Sequence, residues 1–190
     1  PVGELGFIQE GSGTADGTAV AGSTVSPGML QLYTGTGTTG YRGLITSGTA
    51  AAGILFGGAS YTAEFRFNVG QASDASGDYG LRFGFVDSVS STEPTDGVYF
   101  RCSGASPVNW YAVARSNGVE TGPTSATDTG VAVATSGWVT LAITVNAAGN
   151  QALFYINGTL VRTETANIPT ASGWNTALGC SIFKASGASA

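Results

Sequence analysis

Apolar and polar residues alternate one for one along several stretches of this chain. Tyr61–Val69 (YTAEFRFNV) sets Ala63, Phe65, Phe67 and Val69 against Glu64, Arg66 and Asn68. Tyr79–Val86 (YGLRFGFV) sets Leu81, Phe83 and Phe85 against Arg82, and Gly97–Ser103 (GVYFRCS) sets Val98, Phe100 and Cys102 against Tyr99 and Arg101. Trp138–Asn146 (WVTLAITVN) sets Val139, Leu141, Ile143 and Val145 against Thr140, Ala142 and Thr144. A period of two is the mark of a strand with one face in a core. In LFYINGTLVRTE, Asn157-Gly158 supplies the two positive-φ positions of a type I′ turn, so Leu153–Glu164 reads as a hairpin. Ile156 then faces Thr159, Tyr155 faces Leu160, and Phe154 faces Val161. Leu153–Ile156 is apolar on both faces, so we expect cover on both sides or a curved sheet there.

Turn clusters separate the runs: GQASDASGD, DSVSSTEPTDG, SNG and NAAGN. The longest, Asp87–Gly97, contains Pro94 and reads as a surface loop. No 3.6-residue apolar pattern persists, so a helical turn near Thr165–Ala171 is the most helix the pattern admits. About eleven or twelve short strands favour two stacked antiparallel sheets over a small closed barrel. The reading is a single all-β sandwich: residues 29–184 as its core, 1–28 as a peripheral strand or linker, and 185–190 as a tail. A chain of 190 residues buries roughly 70% of its unfolded surface, enough to fold without a disulfide or metal.

Composition narrows the function. Only 10% of residues are charged, with seven basic and twelve acidic side chains and no histidine. The basic residues are scattered, which argues against nucleic-acid binding through phosphates. No apolar run is long enough for a membrane-spanning helix. The first residues, Pro-Val-Gly, suggest processing or a piece of a longer chain. Cys102 and Cys180 lack zinc spacing and read as two buried thiols in preference to a disulfide. Without histidine, Ser/His/Asp and Cys/His nucleophiles cannot be assembled from this chain.

The run GWVTLAITVNAAGNQALFYINGTLVRTE resembles the concanavalin A-like or laminin G-like jelly roll. That family carries a W-x-x-L-x-I-x-V strand followed by an F-Y-I-N/D-G-x-L-V hairpin. DGVYFRC and NWYAVARSNG are similar to its paired ligand-face strands, and the resemblance spans about Tyr61–Lys184. It implies a two-sheet antiparallel jelly-roll sandwich, a fold that hosts lectins, glycosidases, adhesion modules and virion proteins. The lysine-poor, Gly/Ser/Thr/Ala-rich style resembles bacteriophage fibre and decoration proteins. Members usually finish on an R-x-L-x-V-D-Y strand. Its absence leads us to expect a missing strand, or an edge completed by a neighbouring chain.

Glycosidases of this fold resemble one another in an E-x-D-x-E strand, with paired carboxylates for acid and nucleophile. Here the strand carrying Glu64 reads AEFRFN, with Arg66 in place of a second acid, so we expect no enzyme. Alternation places Arg66, Arg82 and Arg101 outside the core on three successive strands, with Glu64 and Tyr99 sharing that surface; Trp110 either joins them or is buried, since NWYAVA (Asn109–Ala114) is mixed on both faces. Arginine forks and flat aromatic faces suit sugars, which makes these six a candidate glycan-binding face; the alternative is a cross-strand ladder that keeps the face soluble. Asp87, Glu93 and Asp96 in the long loop are a candidate calcium set, against solvated loop acids; no other cofactor is expected. The expectation is a non-enzymatic domain at a virion surface or otherwise extracellular. It would dock on other virion subunits or its own copies, as a decoration, head-fibre or tail-fibre module, with host glycans as a further ligand. The alternative is a carbohydrate-binding module of a secreted bacterial enzyme or adhesin.

Overall fold

A computed structural model describes residues 7–12, 18–23, 26–34, 39–46, 53–70, 77–102, 109–120 and 127–187. Among them lie fourteen strands and no helix: β1 (Ile8–Ser12), β2 (Thr18–Ser23), β3 (Ser26–Leu32), β4 (Gly40–Ile45), β5 (Tyr61–Phe67), β6 (Gly77–Val86), β7 (Gly97–Cys102), β8 (Asn109–Ser116), β9 (Val119–Glu120), β10 (Asp128–Ala132), β11 (Val139–Val145), β12 (Ala152–Ile156), β13 (Thr159–Glu164) and β14 (Ala177–Gly187). The larger sheet runs β1-β4-β14-β6-β7-β8-β10, with β9 paired to β8, and the smaller runs β13-β12-β11-β5. A separate hairpin joins β2 to β3. Every strand pair is antiparallel. These are the two stacked antiparallel sheets expected from the strand pattern, in the jelly-roll sandwich that the resemblance implies.

The alternating residues make the core. From the larger sheet come Leu81, Phe83, Phe85, Val98, Phe100, Trp110, Ala112 and Ala114; from the smaller come Ala63, Val139, Leu141, Ile143, Phe154 and Ile156. Aromatic rings bridge the layers: Phe67 stacks on Phe83 at 4.1 Å between centroids, and Phe100 meets Phe154 edge-on at 5.2 Å. Ala112 and Ala114 make room for Trp110 on its own strand, since a core at near-crystalline density must match a large ring with small neighbours.

Four local expectations change. The hairpin turn forms on Asn157 (φ 50°) and Gly158 (φ 80°), but Val161 is an extra residue in β13, so Phe154 faces Arg162. Cover on both sides is partial: Leu160, on the edge strand β13, is half exposed. Residues 185–187 belong to β14 rather than to a tail, pairing through Ser186↔Asp78 and Gly187↔Gly77; residues 188–190 and 1–6 lie outside the described residues. Among the described residues, the strand nearest the C-terminus lies inside the larger sheet and not at its edge. ALGCSIFKASG forms it as β14, pairing β4 on one side and β6 on the other.

Neither cysteine is oxidised. Cys102 sits opposite Leu81 and Cys180 opposite Phe83, on strands flanking β6. Two inter-strand steps of about 4.8 Å put their backbones beyond disulfide reach. Burial pushes the Cys102 thiol up to about 12 and the Cys180 thiol up to about 11. Alkylation by iodoacetamide at pH 8 is therefore expected only after unfolding, with mass spectrometry of the native and urea-treated protein as the check.

Candidate functional site

The outer face of the larger sheet is where the loop Asp87–Asp96 changes the picture. It folds back over β6, β7 and β8 instead of standing in solvent. Val89 packs beside Ile45, Val86, Tyr99, Val113 and Ala177, forming a second apolar cluster on that face. The loop ends are fixed: Asp87 N–H donates to the Asp96 carbonyl (3.0 Å), and Gly118 N–H donates to the Thr95 carbonyl (2.9 Å). The Asp96 carboxylate accepts from Asn117 N–H at 2.7 Å.

Beneath the loop lies a chain of charges. Arg82 donates from Nε (3.2 Å) and Nη2 (2.8 Å) to one oxygen of Glu93, and from Nη1 to the Ser90 carbonyl (3.0 Å). Its guanidinium also lies 3.8 Å from the ring centre of Phe183. The other Glu93 oxygen accepts from Tyr99 Oη (2.5 Å) and Arg101 Nη1 (2.7 Å). Arg101 then forks onto Glu120 at 3.0 and 2.8 Å, and Arg115 reaches the same carboxylate at 3.5 Å. Arg82 and Arg101 keep only 4% and 10% of their side-chain surface exposed.

The electrostatics follow from this packing. Burial alone would raise the Glu93 carboxyl, but Arg82, Arg101 and the Tyr99 hydroxyl outweigh it and hold it below the ordinary carboxylate range. Burial and the adjacent Glu93 charge raise the Tyr99 phenol, so Tyr99 stays a hydrogen-bond donor. Glu93 and Glu120 thus have both oxygens committed to arginine or tyrosine. Gly84 sets the geometry: a Cβ there would stand 2.5 Å from the Val98 carbonyl and 2.6 Å from Tyr99 Cα. Gly84→Ala is expected to cost about 1–3 kcal/mol and to loosen Tyr99, read by thermal melting and by tyrosine near-UV circular dichroism.

The six glycan candidates do not form one face. Arg82, Tyr99 and Arg101 share the outer face of the larger sheet, yet they lie under the loop. Glu64 and Arg66 are exposed on β5, in the other sheet, with Arg66 5.6 Å over the ring of Trp138. Trp110 is fully buried, touching Phe67, Phe83 and Phe100 edge-on. Alternation tells which side of a strand a residue takes, but not which sheet receives the strand.

Asp87, Glu93 and Asp96 do not converge on a common point either. Glu93 is held by two arginines, Asp96 caps the β8–β9 turn, and burial raises the Asp87 carboxyl, partly offset by Ser88. Among the described residues no group of three Cys, Asp or Glu side chains is placed to hold a metal.

Arg115, Glu120 and Phe183 were not anticipated. The SNG turn is the signal for the first two, because a hairpin on Asn117-Gly118 pairs Arg115 with Glu120.

The sequence signature described as SO2946-like, C-terminal domain matches residues 26–190. The chain belongs to this family. Among curated sequences none matches the chain significantly. In fold, this SO2946-like domain is a concanavalin A-like jelly roll. Peanut lectin aligns at 11% identity over 96% of this chain and 85% of its own, with a TM-score of 0.52. A variant of the Emp46p carbohydrate recognition domain aligns at 10% identity over 94% and 80%, with a TM-score of 0.50. Bacillus licheniformis β-glucanase aligns at 17% identity over 76% of this chain, which spans 56% of the enzyme, with a TM-score of 0.40. Lectin domains thus share the SO2946-like fold, and at these identities the likeness is one of fold alone.

Proposed function

We propose that the domain is a non-enzymatic surface module of a virion, docking on neighbouring subunits through the outer face of its smaller sheet. One observation carries this reading: the loop and the ion network close the larger sheet's outer face, so the smaller sheet offers the open one. Glu64–Ala142–Tyr155–Leu160 run across that face in one row, and Thr62–Thr144–Leu153–Thr163 in the next. Trp138 is 45% exposed and Leu160 50%. A sheet face that exposes Trp138 and Leu160 suits a protein partner. Sparse charge over the whole chain favours assembly in the same direction. Both carboxylates of the network are consumed by ion pairs, which leaves no free acid or base there.

Trp138→Glu combined with Leu160→Glu is expected to abolish binding of labelled domain to particles lacking it, while the melting temperature moves little. Unchanged particle binding by the folded double variant would sink the docking surface. The domain is also expected to release no reducing ends from a polysaccharide panel, and Glu64→Gln is expected to change nothing there.

A carbohydrate-binding module is the second reading, favoured by the Arg66–Trp138 pair beside Glu64. Saturable binding on a glycan array, lost in Arg66→Ala but kept in Arg82→Lys, would promote it over docking.

A further inference from the structure

Two arginines and a tyrosine on β6 and β7 converge above the larger sheet, and the carboxylate that meets them comes from the covering loop. Arg82 Nε and Nη2, Tyr99 Oη and Arg101 Nη1 place four donor contacts on Glu93 alone. A planar guanidinium fork with a second guanidinium and a phenol is the way a carboxylate is recognised. Among the described residues the network remains short of anions. Three arginines face two glutamates, and the Nε atoms of Arg101 and Arg115 are buried without an acceptor. Aromatic surface adjoins the same point: Phe183 lies under Arg82, and Tyr41 and Tyr111 are half-buried on this face. The plug is not sealed from water, since Glu93 keeps 24% of its side-chain surface and Ser91 and Thr92 are exposed.

We propose that Arg82, Tyr99 and Arg101 form a carboxylate-binding site that the loop fills with Glu93 in cis, and that a glycan bearing uronate carboxylates competes with Glu93 for it. The fork fixes the carboxylate, and the half-buried rings of Tyr41 and Tyr111 supply the flat apolar contact that a pyranose ring uses. Binding is coupled to lifting the loop, so the apparent affinity of the wild type is reduced by the fraction of molecules with the plug withdrawn. This site lies on the opposite sheet from the docking surface, and either can fail without the other.

The test is calorimetric titration with tetragalacturonate at low ionic strength and pH 7. The fully methyl-esterified tetramer and tetraglutamate serve as controls. The wild type is expected to bind weakly and saturably. Glu93→Gln removes the competing charge and keeps the side-chain shape; it is expected to bind at least about tenfold more tightly, because the wild-type plug occupies more than about nine-tenths of molecules. The methyl ester is expected not to bind. Hydrogen exchange supplies a readout on the unmodified protein: backbone amides of residues 88–92 should exchange faster with tetragalacturonate present. Should Glu93→Gln fail to fold, Glu93→Asp, one methylene short of the fork, is expected to bind more tightly than the wild type, and unchanged binding would overturn the proposal. Absence of saturable binding by wild type and variant, no tightening in the variant, or equal binding of the methyl ester would overturn the proposal. Equal binding of tetraglutamate would overturn its glycan class.

Discussion

Glu93→Ala is expected to lower the unfolding free energy at pH 7 by about 3 kcal/mol, the lower end of the range for removing one partner of a buried ion pair, because Glu93 keeps a quarter of its surface in water. The loss comes less from the missing attraction than from what remains. Arg82 stays 4% exposed with its fork unmatched, and Tyr99 loses its acceptor. The effect carries a pH signature with a definite sign. The folded Glu93 carboxyl sits below its ordinary value of 4.5, so its contribution is complete above that pH and fades as pH falls through the lower folded value. Urea denaturation of both proteins between pH 7 and pH 2 should show the gap closing at the acid end. A gap that stays constant with pH would mean that the carboxylate's charge is not what holds the loop.

Trp110→Ala is expected to cost still more, about 3–5 kcal/mol. Its ring has no exposed surface and touches aromatic rings from both sheets, so deletion leaves a void that neither layer can fill alone. The urea midpoint should fall sharply at unchanged slope, since the same surface is exposed on unfolding. Trp138→Ala is the matched comparison: its ring is 45% exposed, so a change of under about 0.5 kcal/mol is expected. A comparable loss at the two sites would contradict the assignment of Trp110 to the core.

Strand pattern carried most of the architecture because burial on one face imposes a period of two. Phe65, Phe83 and Phe100 turn inward as their spacing requires. Asn157-Gly158 could be read as a turn for a similarly local reason, the need for two positive φ values. β14 escaped because its outward positions are Gly179, Ser181 and Phe183 and its inward ones include Cys180, which blurs the contrast between faces. The site was harder to read. Glu93 sits in a loop whose sequence, SSTEPTD, looks solvated; nothing local says that it folds back onto Arg82 and Arg101. Charge pairing between a loop and a sheet depends on tertiary path, and only the Arg115–Glu120 pair was legible from its own hairpin.

The placement of β14 has a kinetic consequence. The two halves of the larger sheet, β1-β4 and β6-β7-β8, are hydrogen-bonded into one sheet through β14, which pairs Ile45 with Gly179 and Phe83 with Cys180. Until the ribosome has released residues 177–187, both halves present raw edges, and the nascent chain must hold these apart from other chains. Such distant pairings make the closing step slow, so refolding from urea should proceed over milliseconds to seconds and be limited by capture of that last strand.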